Sequence, residues 1–351
     1  NVPGGSGNLI ASGQTGTTAY KGNAAPIFVW DVNTQRRVTA LRGLTMRVNA
    51  VAFSTDERFL CGMGEDCLLY IWELATREVV YGTKLPCPAS VLTWVEHKQE
   101  NRRVSYELAI GFKNTVFRGD LIYDLGRVQW SLNLVPYAMP PGGSIIRSFT
   151  DVSVSSDLTS VYVGTTGGEV MVYRRGASVF RACIPVCTQG VSCLMTDDTT
   201  GNIICGGGDG SIHVLEGSDM GWRVKSKTSL SATVRSMSLI QRPQGHGAGD
   251  PASIDFLVGC SDGTLYCCNN VTESGALSSY VIQAGHTSTI TALAFDTTEG
   301  AFASSSDKSH YFVTGTRSGE LRGWDLLDYH CVGVTYQPKK GSVLSLLFLD
   351  H

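Results

Sequence analysis

The cysteines are the residues of this sequence whose type and spacing come nearest to a chemical site. Cys183, Cys187 and Cys193 lie close together in the chain, and Cys267 and Cys268 are adjacent. Zinc sites usually take two paired CxxC-like knuckles, and the spacing here matches none. Alternation along a strand would also turn Cys267 and Cys268 to opposite faces. The sequence therefore predicts no metal site and no cofactor.

Residue patterns typical of catalysis are absent from the sequence. It contains no GxSxG nucleophile elbow, no GxxxxGK phosphate loop and no HExxH pair. His97, His246, His310 and His330 lie in loops or near turns, without an acid and a nucleophile at a defensible spacing. The glycine run at 206–210 leads into another strand, so no helix N-terminus is available to hold a phosphate. We expect a protein that is not an enzyme and takes no small-molecule substrate.

The composition narrows the class of protein further. The chain has 351 residues, 40 glycines, 17% charged residues and a net charge of −3. It has no apolar run long enough to cross a membrane, no signal-peptide pattern and no basic excess for tracking nucleic acid. Its eleven cysteines follow no disulfide frame, and Cys61, Cys205, Cys260 and Cys331 sit in apolar runs. This cysteine usage indicates reduced, buried thiols and an intracellular location.

A repeated pattern is the strongest structural signal. Each copy is an alternating strand, and the clear copies end in Trp followed by an acid. The clear copies lie at 26–31, 67–73 and 320–325, and weaker ones at 169–173, 211–215 and 264–268. The positions that correspond to the Trp are Trp30, Trp72, Gly119, Tyr173, Leu215, Cys268 and Trp324.

The spacing of these positions predicts the fold. The intervals are 42, 47, 54, 42, 53 and 56 residues, whereas a bare four-stranded WD40 unit takes about 40–45 residues. The excess is interpreted as loop insertions at 136–143, 242–253 and 302–310, which have loop composition. We therefore predict an all-β, seven-bladed WD40-type β-propeller.

One blade is predicted to combine strands from both ends of the chain. Residues 8–13 read as a second strand without a first, and 342–349 read as a spare first strand. Pairing the two would remove an exposed sheet edge and make residues 1–351 a single propeller. Deleting the last ten residues should then destabilise the whole ring. A six-bladed ring with unused ends is the alternative, and it would waste two good strands.

The repeat residues are expected to have structural roles, because buried polar groups must be paired. The only clean Gly-His pair before a first strand is Gly285-His286; its blade has Trp324 and Thr316, but Ser318 where an aspartate is usual. The second blade has Asp66 and Trp72, but Gly43-Leu44 in place of Gly-His. The residues assigned to the structural repeat are Trp30, Asp31, Asp66, Trp72, Glu73, Asp209, Asp262, His286, Trp324 and Asp325.

Contacts with a partner are expected from loops and strand ends, because loops on a rigid scaffold carry recognition. The turn at 12–26 is unusually long and carries Tyr20 and Lys21. Arg47 and Arg235 lie near strand ends and are the other candidates.

Four segments of the chain, taken in order, resemble a known family. The run LIASGQTG…APIFVWD at 9–31 and the segments at 160–173, 190–215 and 233–266 are similar to the cilia- and flagella-associated WD-repeat proteins with two tandem propellers. The resemblance implies the first of two propellers, in a structural component of the axoneme that contacts tubulin and neighbouring axonemal proteins. The insertions at 242–253 and 302–310 and the missing tryptophans depart from the family pattern, so no contact residue is transferred.

The sequence leaves three other interpretations. The echinoderm microtubule-associated-protein-like family has a similar "GQ…VWD" opening and implies a cytoplasmic microtubule-associated protein. A generic WD40 adaptor would bind a peptide across its central channel, with a charged or aromatic ring at the channel mouth. A propeller enzyme would need clustered histidines and carboxylates along the channel, and the sequence offers no such set. Microtubule association is common to the two family interpretations.

Overall fold

The computed structural model consists of β-strands and turns. It describes residues 8–16, 24–100, 103–138, 148–197, 200–218, 221–239, 255–270, 277–283, 286, 288, 290–295, 311–325, 331–336 and 342. These residues form 27 strands, and none of them is helical, so no described helix could cross a membrane. The chain divides into two compact units, residues 1–229 and 230–351.

The first unit contains five antiparallel sheets, in which strands adjacent in the chain are also neighbours in the sheet. The first sheet is β1 (Leu9–Gly13), β2 (Ile27–Asp31) and β3 (Arg36–Leu41). The second is β4 (Val48–Phe53), β5 (Phe59–Gly64), β6 (Leu68–Glu73) and β7 (Val79–Lys84). The third is β8 (Ala89–Glu100), β9 (Arg103–Phe112), β10 (Thr115–Asp124) and β11 (Gln129–Pro136). The fourth is β12 (Phe149–Val154), β13 (Ser160–Thr165), β14 (Glu169–Arg174) and β15 (Val179–Pro185). The fifth is β16 (Val191–Thr196), β17 (Ile203–Gly207), β18 (Ser211–Ser218) and β19 (Gly221–Ser229).

The second unit contains two further four-stranded antiparallel sheets. Its first sheet is β20 (Val234–Leu239), β21 (Asp255–Cys260), β22 (Leu265–Asn270) and β23 (Leu277–Gln283). Its second sheet is β24 (Ile290–Phe295), β25 (Tyr311–Thr316), β26 (Glu320–Asp325) and β27 (Cys331–Tyr336). The predicted strands that lie within the described residues are therefore present, within one to three residues of their expected bounds.

The repeat positions share one place in every sheet. The pairs across the second and third strands of each blade are Trp30 with Ile10, Trp72 with Leu60, Gly119 with Leu108, Tyr173 with Val161, Leu215 with Ile203, Cys268 with Phe256 and Trp324 with Phe312. The turns that follow the second strands use left-handed backbone, as at Gly210, Gly263 and Gly319. The common register confirms the repeat.

The core of the first unit lies between neighbouring sheets. Strand β4 packs against β8, β8 against β12, and β12 against β16. Apolar residues of the second and third sheets form one continuous cluster, with Phe59 and Leu108 fully buried inside it. Burying such a side chain contributes about 1.5–3 kcal/mol, so packing between adjacent sheets is the main source of stability here.

The third sheet corrects the loop interpretation of the longer intervals. Strands β8, β9 and β10 have 12, 10 and 10 residues, against six for each strand of the second sheet. Beyond Trp94 the β8–β9 hairpin continues for five more residue pairs, from Glu96↔Glu107 to Glu100↔Arg103. Part of the excess length therefore extends a blade. Of the predicted insertions, only residues 136–138 lie within the described ranges.

An ion cluster fixes this extension to the fourth sheet. The Arg175 guanidinium donates from Nε to Glu107 Oε1 at 2.7 Å and from Nη1 to Glu96 Oε2 at 2.9 Å. A third bond runs from Nη2 to Glu107 Oε2 at 2.8 Å. All three side chains are no more than 15% exposed. Such charge-assisted, partly bidentate bonds hold the two sheets in a fixed register.

Two sequence predictions have different outcomes at the cysteines and at the chain ends. Cys61, Cys205 and Cys260 are buried as predicted, but Cys331 is only half-buried because β27 is an outer strand. The first sheet has three described strands, and the predicted fourth lies at 342–349, outside the described residues except for Ser342. Closure of residues 1–351 into a single ring therefore stays a prediction.

Candidate protein-interaction surface

Each sheet has two ends, which are formed by different turns. At one end lie the turn between the second and third strands and the connection to the next sheet, which together we call the connection end. At the other, the opposite end, lie the turns from first to second and from third to fourth strand. This division follows from the antiparallel order of the strands.

Asp66 holds the connection that enters the second sheet. Its Oδ2 accepts hydrogen bonds from Thr45 N at 2.7 Å, Thr45 Oγ1 at 2.8 Å and Met46 N at 3.3 Å. Its Oδ1 accepts from Leu68 N at 3.0 Å. One carboxylate thus joins the turn before β6 to the segment 42–47, which follows β3. The predicted structural role of Asp66 is supported by this geometry.

The same arrangement recurs at the fifth sheet. Asp209 accepts from Thr188 N at 3.3 Å, from Thr188 Oγ1 at 3.2 Å and from Ser211 N at 3.0 Å. Partial burial opposes ionisation of this carboxyl, but its bonds from Ser211 and Thr188 outweigh that effect and lower its pKa to about 2. Asp209 is therefore ionised at neutral pH, the form that accepts all these bonds.

Two blades of the second unit keep only part of this pattern. Asp262 accepts from Thr264 N at 2.9 Å. In the last sheet Ser318 occupies the aspartate position, and Ser288 takes the place of the threonine. Ser288 Oγ donates to Ser318 Oγ at 2.8 Å, and Ser318 N donates to Ser288 Oγ at 3.0 Å. The serine pair preserves the link without a charge.

The repeat tryptophans anchor different groups. Trp72 is 1% exposed and donates from Nε1 to the carbonyl of Arg42 at 3.2 Å. This bond ties the segment 42–47 to the buried indole. Trp30 occupies the same repeat position but is 36% exposed, and it donates to Ser12 Oγ at 3.0 Å. The tryptophan position is therefore a buried anchor in one blade and a half-covered one in another.

In the last sheet, His286 and Trp324 share a threonine, but it is Thr314 and not the Thr316 named in the sequence analysis. Trp324 Nε1 donates to Thr314 Oγ1 at 2.8 Å, and His286 Nε2 lies 3.1 Å from the same oxygen. The predicted partner Thr316 instead accepts from Glu320 N at 3.1 Å. Thr316 lies two residues nearer the turn than Thr314. Burial and the nearby Arg322 lower the pKa of His286, which favours its neutral form.

The acids that follow the tryptophans lie at the opposite end. Asp31 Oδ1 accepts from Thr34 N at 2.8 Å and closes the turn between β2 and β3. Glu73 accepts from Arg58 Nε at 2.9 Å and from Thr76 Oγ1 at 3.2 Å. Asp325 is the last residue of β26. The hydrogen bonds of Asp31 and Glu73 therefore hold turns at this end, which is consistent with a structural role.

The connection end of the first unit is basic. Its exposed cations form no ion pair with any described residue, and its exposed carboxylates are Glu65 and Asp209. These cations, which we call the basic end, are Arg42, Arg47, Lys84, Lys113 and Lys227. The opposite end also carries exposed arginines, among them Arg77 and Arg174, but exposed carboxylates such as Glu78 and Asp157 accompany them. Ion pairs there join Arg58 to Glu73, Lys98 to Glu96, Arg127 to Asp124 and Arg223 to Glu216.

The predicted contact residues have different outcomes. Arg47 belongs to the basic end, and its carbonyl accepts from Glu65 N at 2.9 Å, which fixes the backbone there. Arg235 is exposed on β20 of the second unit. Tyr20 and Lys21 lie outside the described residues. Sequence reasoning missed Arg42, Lys84, Lys113 and Lys227; each lies in a turn or near a strand end, which is recognisable only when every strand is known.

The cysteines show no sign of chemical activation. None is in a disulfide, and the described residues contain no group of His, Cys, Asp and Glu arranged to hold a metal ion. Burial raises the pKa of Cys187 to about 11 and raises that of Cys205 as well. Thiols with raised pKa values stay protonated at neutral pH, whereas metal ligands and nucleophiles are thiolates.

Comparison with known sequences identifies the repeat. The family model described as "WD domain, G-beta repeat" matches residues 35–73 and 278–325. Cilia- and flagella-associated protein 52 of Chlamydomonas reinhardtii is 29% identical over 215 residues, 60% of this chain and 32% of that protein. The Homo sapiens protein of the same name is 24% identical over 271 residues, 74% of this chain and 39% of that protein. The chain thus spans about a third of the length of these curated relatives.

Solved structures show the same fold. The β-propeller domain of Cps50 (Swd1) from Myceliophteria thermophila matches with a TM-score of 0.57 at 11% identity, covering 94% of each chain. Chaetomium thermophilum Sqt1, solved bound to the N-terminus of ribosomal protein L10, matches with a TM-score of 0.58 at 13% identity, covering 94% of this chain and 84% of that one. With the antiparallel four-stranded sheets, these matches establish a WD40-type β-propeller fold.

Proposed function

We propose that this chain, a WD40-repeat β-propeller that resembles cilia- and flagella-associated protein 52, is a non-catalytic protein-interaction scaffold of cilia and flagella. The names of the matched relatives support the location. The repeat and the rigid, hydrogen-bonded connections support a scaffold role, since rigid platforms bind partners at low entropic cost.

The basic end supports a more specific proposal, association with axonemal microtubules. The exposed surface of tubulin is acidic, so an unpaired group of cations is complementary to it. The whole-chain net charge is −3. At the connection end of the first unit, however, exposed cations outnumber exposed carboxylates, which makes a basic surface available on a slightly acidic protein. The segment 42–47 is held by Asp66 and Trp72, so Arg42 and Arg47 are presented from a fixed backbone.

Charge reversal tests this proposal by co-sedimentation with microtubules. The double variant Arg42→Glu/Arg47→Glu is expected to bind about tenfold or more weakly at low salt, because it removes attraction and adds repulsion. The control Arg77→Glu/Arg174→Glu makes the same charge change with two exposed arginines at the opposite end. It should bind like the wild type. Equal losses in both variants would show a general effect of net charge and refute a role for the basic end.

A further inference from the structure

The segment 42–47, with the sequence RGLTMR, combines an exposed hydroxyl with two exposed arginines. Arg42 lies three residues before Thr45, and Arg47 lies two residues after it. Neither arginine forms an ion pair with a described residue. Kinases that prefer basic substrates bind the guanidinium of an arginine three residues before the acceptor with carboxylates beside their active site. The segment therefore has the charge pattern of a kinase substrate.

The fold makes Thr45 more accessible than the other hydroxyls that follow an arginine at this spacing. A kinase takes its substrate as an extended segment, whereas the backbone of a strand is already paired with its neighbours. The hydroxyls in strands are Thr39 on β3, Ser105 on β9, Thr150 on β12, Ser226 on β19 and Ser238 on β20. Ser178 lies in a turn, but its arginine, Arg175, is held by Glu96 and Glu107. Thr45 lies in the connection between β3 and β4, outside any strand.

Asp66 is the group that a phosphate on Thr45 would act on. Thr45 Oγ1 donates to Asp66 Oδ2 at 2.8 Å, and the same oxygen accepts from Thr45 N and Met46 N. Phosphorylation removes the hydroxyl proton and places a charge of about −1.5 to −2 beside this carboxylate. The like charges repel, so all three hydrogen bonds weaken. The segment 42–47 then separates from the turn before β6.

We propose that Thr45 is a phosphorylation site for a kinase that selects arginine at this spacing, and that the phosphate opens the connection 42–47. In the reaction Thr45 Oγ1 attacks the terminal phosphorus of ATP, the bond from that phosphorus to the bridging oxygen breaks, and ADP leaves. The hydroxyl proton passes to the catalytic base of the kinase. Leu44 is 1% exposed and anchors the centre of the segment. Modification therefore requires a local opening, which costs less free energy than unfolding a sheet.

A phosphate on Thr45 also cancels most of the charge excess of the basic end. The basic end has five cations, and the exposed carboxylates beside them are Glu65 and Asp209. The added group carries nearly two negative charges at neutral pH. Modification is therefore expected to release the chain from microtubules, a consequence that rests on the proposed function. The modification site and the opening of the connection do not depend on that function.

Phosphorylation of the full chain by a recombinant kinase with this arginine preference, followed by phosphopeptide mapping, tests the site. We expect phosphate mainly on Thr45, and at least about tenfold less of it in Arg42→Gln, which removes the guanidinium that the kinase binds. Thr188 is the internal control, because it is exposed and bonds its turn aspartate in the same way, but Pro185 stands three residues before it. Phosphate on Thr39 in place of Thr45, no phosphate on Thr45, or equal labelling in Arg42→Gln would overturn the proposal.

Amide hydrogen exchange tests the opening of the connection. The amides of Thr45 and Met46 should exchange at least about tenfold faster in the phosphorylated chain, whereas the Thr188 amide should exchange as before. Unchanged exchange at Thr45 and Met46 would refute the opening. In co-sedimentation, equal binding of the modified and unmodified chains would refute release from microtubules. An unmodified chain that does not bind would instead refute the proposed function, and the modification site would stand.

Discussion

Replacing Arg175 with methionine is expected to lower the free energy of unfolding by about 3–5 kcal/mol, the cost of breaking a buried ion pair from one side. The guanidinium is 11% exposed and donates to both Glu96 and Glu107. Without it, Glu107 loses its counter-charge in a poorly solvated site, and Glu96 keeps only its pair with the exposed Lys98. The methionine side chain keeps most of the packing made by the aliphatic part of Arg175. The loss of unfolding free energy therefore reports the loss of the positive charge. Urea unfolding measured at neutral pH gives the value.

A matched exposed pair provides the control. Arg223→Met breaks the ion pair with Glu216 on β18, where the arginine side chain is 75% exposed. Surface pairs of this kind contribute about 0–1 kcal/mol. Adding Glu107→Gln to Arg175→Met should recover part of the loss, because one uncompensated charge is removed. Similar losses for Arg175→Met and Arg223→Met would contradict the account of the cluster.

The second large effect is expected at a repeat tryptophan. Trp72→Ala should cost about 3–5 kcal/mol, the usual range for deleting a buried tryptophan. The ring is 1% exposed and belongs to the apolar cluster with Ile27 of the first sheet and Leu60 of the second. Its loss also removes the bond to the Arg42 carbonyl. The midpoint and slope of denaturant unfolding give this value. Unfolding is monitored by far-UV circular dichroism, because the tryptophan that would report by fluorescence has been removed.

Trp30→Ala is the control at the same repeat position in another blade. Because Trp30 is 36% exposed, its replacement should cost about 1 kcal/mol, the typical effect of a half-buried site. Equal losses of unfolding free energy for Trp72→Ala and Trp30→Ala would mean that the repeat position, and not the burial of the side chain, determines the loss. That result would contradict the packing described here.

The sequence predicted the strands best where alternation and the Trp-acid pair occur together. β2, β6 and β26 lie within one residue of their predicted bounds. The extended third sheet was not predicted, because Gly119 occupies the tryptophan position. His97, interpreted as a residue in a loop or near a turn, lies instead on β8 and pairs with Tyr106. Glu96 and Glu107 lie in the third sheet, whereas their partner Arg175 follows β14 of the fourth sheet. No local sequence pattern encodes that proximity.

The candidate surface was only partly predictable for a related reason. The turn aspartates Asp66 and Asp209 follow a local turn pattern, and their hydrogen bonds to the neighbouring connections are consistent with the predicted structural role. The sequence analysis named Thr316 in the last blade, whereas Trp324 donates to Thr314, which lies two residues away on the same face of β25. The basic end joins side chains from four sheets, so it becomes visible only after the strand ends are aligned.

Retention on the axoneme tests the proposed function most directly. The tagged chain would be expressed in ciliated cells, the cilia detached and extracted with detergent, and the axonemes washed at increasing salt. The wild type is expected to remain on extracted axonemes at low salt and to be released as salt screens the contacts, with Arg42→Glu/Arg47→Glu released earlier. A chain found in the detergent-soluble fraction or absent from cilia would contradict the proposal.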